Sequence, residues 1–441
     1  MCMEIIKSLQ KDKSTLTKLI KTLLILFVIQ IGYRVPLPGV NTAFLESWFA
    51  SLTSNGVGGF INAMTGSSLG SMSLFALSIS PYISASIVVQ LLTVAIPALE
   101  AVQKDGAIGK QKIEKLIQVI GGVFAFVQAL AIAIGFGRQG LFYTYNWFTV
   151  TYSTLIWTAG AVFLMLLGNW MTEHLIGNGI SLMLLFNMLS SLPGDATVLY
   201  STFAHSKPVW IQILFFIVAI AVVYLIFAYV VLLNGAEKKV KISSSRNATG
   251  RMMQMGDNTM PLKLNMGGVM PIIFASSIMS VPVIIAQIAG VDATSVLGKI
   301  INACNQGNWF RLDNFWYTLG VIPYIAMTYM FSYFYMSISF NAKDIADNLR
   351  KSGTTIPGIR PGQPTAEYLD KQAKSMLLLG TTMLMGIALL PTVFSGLANI
   401  NGLSFGGTTI LIIVSVILET ISKLEAQTSN VNYNSFIKKK K

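Results

Sequence analysis

The chain has 441 residues, of which 53% are hydrophobic and 11% charged, and its mean hydropathy is +0.64. A charged fraction well below the roughly one quarter usual in soluble domains excludes an ordinary globular fold and assigns most of the length to membrane spans of about 20 apolar residues. The net charge of +13, from 31 basic and 18 acidic residues, fits nucleic acid, anionic lipid or the cytoplasmic side of a membrane protein, and its distribution along the chain decides among them.

A charge in hydrocarbon is costly while helix propensity counts for little there, so uncharged stretches mark the spans. A polar, lysine-bearing stretch from Glu4 to Lys21 leads into a long apolar run without a small-residue cleavage pattern, so the first span, 19–35, reads as retained and not as a removed signal peptide. Ser47 to Leu99 carries no charge for 53 positions, too long for one span, yet Asn55 to Ser73 is rich in Gly, Ser and Asn. One span, 74–96, is therefore expected there, preceded by a re-entrant or external segment. Spans over 116–136, 151–171, 179–199, 209–233, 264–288 and 316–339 follow. Ser375 to Leu418 is again uncharged, and the loop-like 395–406 divides it into spans 375–395 and 407–427.

The expected fold is thus all-α, with ten transmembrane helices in two five-helix halves, 19–199 and 200–427, flanked by an N-terminal segment 1–18 and a basic tail 428–441. Each half has an odd number of spans, so a structural repeat between them would have inverted topology around a shared centre. Ten crossings put both termini on one side. Lys and Arg number five from Lys7 to Lys21, four between spans 2 and 3, six between spans 6 and 7, six between spans 8 and 9, and five from Lys423 to Lys441, 26 of the 31 in all. The other side and its span ends hold Arg34, Arg138, Lys207, Lys299 and Arg311. The positive-inside rule makes both termini cytoplasmic.

That topology separates Cys2 from Cys304 across the bilayer, which argues against a disulfide or a cysteine metal site. Gly66-Ser67-Ser68-Leu69-Gly70 matches a nucleophile-elbow pattern, but the elbow needs a strand-to-helix turn and a histidine–carboxylate pair. His174 and His205 fall on opposite sides and read as span-end residues. No phosphate-binding loop or dinucleotide fingerprint occurs, so no cofactor is expected and any energy source belongs to a partner protein. Gly177-Asn178-Gly179 reads as a tight reversal between spans 4 and 5. Ile79, Ile83 and Ile87 recur at i, i+4 and i+8 on one helical face, whose plain reading is lipid contact or helix packing.

Five stretches, in order along nearly the whole chain, resemble the SecY family of preprotein translocase channel subunits. They are Gly32-Tyr33-Arg34-Val35-Pro36-Leu37-Pro38-Gly39-Val40; Pro81-Tyr82-Ile83-Ser84-Ala85-Ser86-Ile87 with Gln90-Leu91-Leu92; Ile176-Gly177-Asn178-Gly179-Ile180-Ser181; Pro261-Leu262-Lys263-Leu264-Asn265 with Pro271-Ile272-Ile273-Phe274-Ala275-Ser276-Ser277; and Pro357-Gly358-Ile359-Arg360-Pro361-Gly362 with Thr365 and Tyr368-Leu369. Departures are Ser78, where the family leads one to expect glycine, His174-Leu175, where it leads one to expect an arginine, and a 234–263 loop with fewer arginines than expected.

The resemblance implies a channel for unfolded secretory proteins in the plasma membrane. Its pore constriction would be built from Ile79, Ile83, Leu184, Ile273 and Ile412. Branched aliphatics there would bind no particular peptide and would resist wetting when empty. Phe60-Ile61-Asn62-Ala63-Met64-Thr65-Gly66-Ser67-Ser68-Leu69-Gly70, in itself an external loop, would be the plug that closes the pore from outside. A lateral gate between helices 2 and 7 would involve Ser84, Ile87, Gln90, Ser276 and Ser277. Loops 234–263 and 340–374, whose charge also serves topology and headgroup contact, would dock a SecA motor or the ribosome through Lys238, Lys239, Arg246, Arg251, Arg350, Lys351 and Arg360. SecE-like and SecG-like subunits, signal sequences and anionic lipids complete the implied partners. An accessory SecY paralogue with restricted clients is the nearest alternative. A secondary transporter is the competing class, against which stands the lack of a charge at the centre of any expected span.

Overall fold

The structure is a computed structural model that describes residues 13–41, 43–45, 72–203, 208–244, 259–289, 295–397 and 407–438. Ten helices overlap the ten expected spans: α1 (Lys13–Gly32), α2 (Ser80–Ala95), α3 (Gly106–Phe136), α4 (Trp147–His174), α5 (Gly179–Phe203), α6 (Val209–Gly235), α7 (Met270–Ala289), α8 (Val321–Ser339), α9 (Gln363–Leu397) and α10 (Gly407–Lys438). By length and composition alone, five helical stretches among the described residues can cross a membrane, or six if Ser80–Ala95 and Pro97–Gln103, bent by 108°, form one span. Gly179–Gly194, Ile220–Gly235 and Met270–Val283 are shorter apolar helices.

The helix ends differ from the charge-free windows for physical reasons. Residues 74–79, expected to be helical, form turns, and α2 starts at Ser80. Proline favours a first helical turn because it lacks the N–H that would be unpaired there, and Pro81 occupies that position. Ser78, with φ of 50°, takes the backbone off the helical path just before it. In contrast, α3 and α9 begin about ten residues before their windows, at Gly106 and Gln363. Charge carries little penalty once a helix leaves hydrocarbon, so charge counting measures the membrane-embedded length and not the helix.

In the first half α3 packs between α2 and α4, α4 lies on α5, and α5 contacts α1. In the second, α8 packs between α7 and α9, while α6, α9 and α10 contact one another. Among the described residues the halves meet chiefly where α5 lies against α10 and α3 against α7. The largest buried cluster draws side chains from both halves. Outward faces stay apolar: Leu24, Phe27 and Val28 on α1 and Ile213, Ile217 and Ile220 on α6 are exposed, as a hydrocarbon solvent permits and water would not.

The two long loops fold together. Strand β1 (Glu237–Lys241) pairs antiparallel with β3 (Thr259–Lys263), and β2 (Ser243–Ser244) pairs antiparallel with β4 (Thr354–Thr355). The second pairing joins the α6–α7 excursion to the α8–α9 excursion. Val240, Leu262, Ile356 and Leu369 form a small core beneath them, with Ile345 and Leu349 of the helix Ala342–Lys351 packed against it.

Candidate functional site

Ile79 is the last residue before α2, and its carbonyl accepts a hydrogen bond from the Ile83 N–H at 3.1 Å. That bond keeps Ile79 in line with Ile83 and Ile87 although Ile79 itself is outside the helix. The other face of α2 presents Ala85 and Val89 to Ile117 of α3. Leu184 comes from α5, Ile273 from α7 and Ile412 from α10. These four elements bring Ile79, Ile83, Leu184, Ile273 and Ile412, each at most 8% exposed, into one buried cluster that also contains Ile87. The five side chains are aliphatic and offer no hydrogen-bonding group.

The corner at 177–179 sets the position of α5. Gly177 has φ of 84°, in the left-handed region that favours glycine. Asn178 Oδ1 accepts from the N–H groups of Ile180 at 3.1 Å and Ser181 at 3.4 Å, capping the helix start. The Gly179 N–H donates to Thr172 Oγ1 at 2.9 Å, and a side chain at Gly179 would strike the Gly168 backbone of α4. His174 closes α4, exposed and stacked on Trp170.

Ser84 and Gln90 are half-buried on α2, and Gln90 Nε2 donates to Ser86 Oγ at 3.0 Å. Ser276 on α7 is fully buried and accepts from Gln306 Nε2 at 3.1 Å, so its hydroxyl is engaged by the segment that follows α7 within its own half. Its neighbour Ser277 is half-buried, with a buried Oγ that has no hydrogen-bond partner among the described residues.

On the joined loops Lys238, Lys239, Arg350, Lys351 and Arg360 are exposed. Lys238 Nζ donates to Gln372 Oε1 of α9 at 2.6 Å, and Arg350 lies 3.5 Å from Asp347. Arg360 stands between Gly358 (φ 83°) and Gly362 (φ 105°). Proline followed by a left-handed glycine is the signature of a type II turn, and the Ile359 N–H closes the first of these onto the Ile356 carbonyl at 3.1 Å. The Thr365 hydroxyl donates to the Arg360 carbonyl at 2.8 Å, which ties down the backbone beneath the exposed Arg360 side chain. The plug stretch 60–70, Arg246, Arg251, His205 and Cys2 lie outside the described residues.

One polar cluster was not anticipated from sequence. Tyr33, Ser78 and Asn187 are all buried; Ser78 Oγ lies 3.1 Å from Tyr33 Oη and accepts from Asn187 Nδ2 at 2.9 Å, and Asn187 Nδ2 is 3.3 Å from Tyr33 Oη. The available signal was an amide inside the apolar run of α5, together with a serine standing where a glycine was expected. Among the described residues the buried polar side chains are Ser, Thr and Asn.

A SecY family model matches residues 73–421. The chain is 36% identical to the protein translocase subunit SecY of Porphyra purpurea over 97% of this chain and 100% of that one. It is 33% identical to the Corynebacterium glutamicum protein of the same name, over 97% of this chain and 98% of that one. Two solved structures share the fold: one described as a protein conducting channel, with a TM-score of 0.60 and 16% identity over 87% of this chain and 90% of that one, and one concerned with the plug domain of SecY, with a TM-score of 0.61 and 16% identity over 93% and 91%. A match over most of the length, by relatives of nearly the same length and with the motifs in order, makes this chain a member of the SecY family of protein translocase channel subunits.

Proposed function

We propose that this protein-conducting channel subunit seals itself with the ring Ile79, Ile83, Leu184, Ile273 and Ile412, and that secretory chains cross the membrane through that ring. The observation that carries the reading is the convergence of these aliphatic side chains, from four helices of both halves, in one buried cluster. A hydrophobic signal segment gains by moving sideways into lipid, whereas the polar chain behind it needs an aqueous path. A lateral gate between α2 and α7, involving Ser84, Ile87, Gln90, Ser276 and Ser277, supplies the sideways exit. The stretch 60–70 acts as the outer plug.

The joined loops form the cytoplasmic docking face for a SecA-like motor or the ribosome, with Arg360 as its leading contact. A solved complex described as Sec61 in the canine ribosome-channel complex shares the fold, with a TM-score of 0.56 and 15% identity. SecE-like and SecG-like subunits and anionic lipids are the further partners, the location is the plasma membrane, and both termini are cytoplasmic. Depleting the protein from cells tests the reading. Signal-bearing precursors accumulate uncleaved in the cytoplasm if it holds, and normal export in depleted cells contradicts it.

A further inference from the structure

Ser78 is one of three non-glycine residues with positive φ among those described, at 50°. The left-handed region crowds a Cβ against the backbone, and glycine escapes that cost. A serine is kept here with its hydroxyl fully buried between Tyr33 Oη (3.1 Å) and Asn187 Nδ2 (2.9 Å). Two hydrogen bonds in a low-dielectric setting offset the backbone cost, and neither is available to glycine.

The position of the cluster gives it a consequence. Ser78 is bonded directly to Ile79, and Asn187 lies one helical turn beyond Leu184, so each side of the Ser78–Asn187 contact carries a residue of the aliphatic ring. Tyr33, just after α1, ties a third element to the same point. The ring cannot widen between α2 and α5 while that contact holds, because moving Ile79 away from Leu184 draws Ser78 from Asn187. Once water enters an opened pore, the three polar groups exchange their mutual bonds for bonds to water, so the restraint is modest and reversible.

Resting on the channel reading above, we infer that Tyr33, Ser78 and Asn187 form a latch on the ring, which holds α2 to α5 in the closed state and sets how strong a signal segment must be to open it. The three act as positioning residues: they contact the ring's backbone supports and not the passing chain.

The test uses the whole protein in its membrane, with Ser78→Ala, Asn187→Leu, Tyr33→Phe and the double variant Ser78→Ala/Asn187→Leu. Alanine keeps the Cβ and the backbone cost while removing the hydroxyl; leucine keeps the volume of Asn187; phenylalanine keeps the ring of Tyr33. Two readouts are taken: the fraction of a precursor with a weakened signal segment that is exported, and the resting ion conductance of the purified channel in planar bilayers. The latch predicts that Ser78→Ala and Asn187→Leu each raise weak-signal export and resting conductance about 5- to 10-fold, the effect of one buried hydrogen bond. Tyr33→Phe gives a smaller rise in the same direction. The double variant should add little to either single one, because both remove the same contact. Weak-signal export and conductance unchanged in all three single variants, or a double variant whose effect is the full product of the singles, overturns the latch. Export of a precursor with an intact signal by the unaltered protein is measured alongside; its failure refutes the channel reading, and its success with unchanged variants refutes the latch alone.

Discussion

At Arg360 a single charge is held at the tip of a loop by two left-handed glycines, and little else in the protein depends on it. Arg360→Glu should therefore lower motor-dependent export about 10-fold or more while leaving thermal stability within about 0.5 kcal/mol, because exposed substitutions rarely cost more; urea-treated vesicles supplied with motor and precursor provide the measurement. Gly358→Ala should instead act through the backbone, costing about 1 kcal/mol at a φ of 83°. In the ring, Ile79→Asn places an amide in an aliphatic collar and lets water in, so resting conductance in planar bilayers should rise at least several-fold with export retained. Cys304 ends the short helix Val296–Cys304 between α7 and α8, and burial pushes its thiol above the ordinary cysteine range. Only the thiolate reacts with maleimide, so labelling of Cys304 should be slow at neutral pH and rise about tenfold per pH unit until the raised value is passed. Burial of Ile79, Ile83 and Ile87 along one line was legible from their i, i+4, i+8 spacing, whereas the choice of Leu184, Ile273 and Ile412 as their companions in the proposed ring came from the family resemblance. The latch was not legible, because hydrogen bonds across sequence separations of 45, 109 and 154 leave no local pattern.

Among the elements, α5 depends on a corner whose parts were visible as Gly-Asn-Gly, and the close packing of Gly179 on Gly168 gives that spelling its reason. Gly179→Val should destabilise the protein by about 2–4 kcal/mol, seen as a lower melting temperature in detergent, since the backbone it would strike belongs to α4 and cannot rotate away. The helices themselves were readable from charge-free windows because hydrocarbon enforces that signal. Their ends were not, as α3, α9 and α10 continue into water where no such penalty operates. The β2–β4 pairing was equally hidden: two-residue strands of Ser-Ser and Thr-Thr carry no alternation, and the partners lie far apart in the chain. Ser244→Pro removes a backbone donor and fixes φ in that pair. It should separate the two loops, raising the rate of protease cleavage within 340–374 several-fold and lowering export without changing resting conductance.

Across the whole molecule, two five-helix halves touch along α5–α10 and α3–α7, and the largest buried cluster lies where they meet. Each half has its own internal helix contacts, so parting the two halves does not require unfolding either one. The measurement that bears most directly on the central claim is crosslinking of a secretory chain stalled during passage, with a photoreactive side chain placed at Ile79, Ile83 or Ile273 and, as the outward reference, at Leu24, which is exposed on the outer face of α1. Passage through the ring predicts strong adducts from the three ring positions and none above background from Leu24. Adducts from Leu24 with none from Ile79, Ile83 and Ile273 would contradict it.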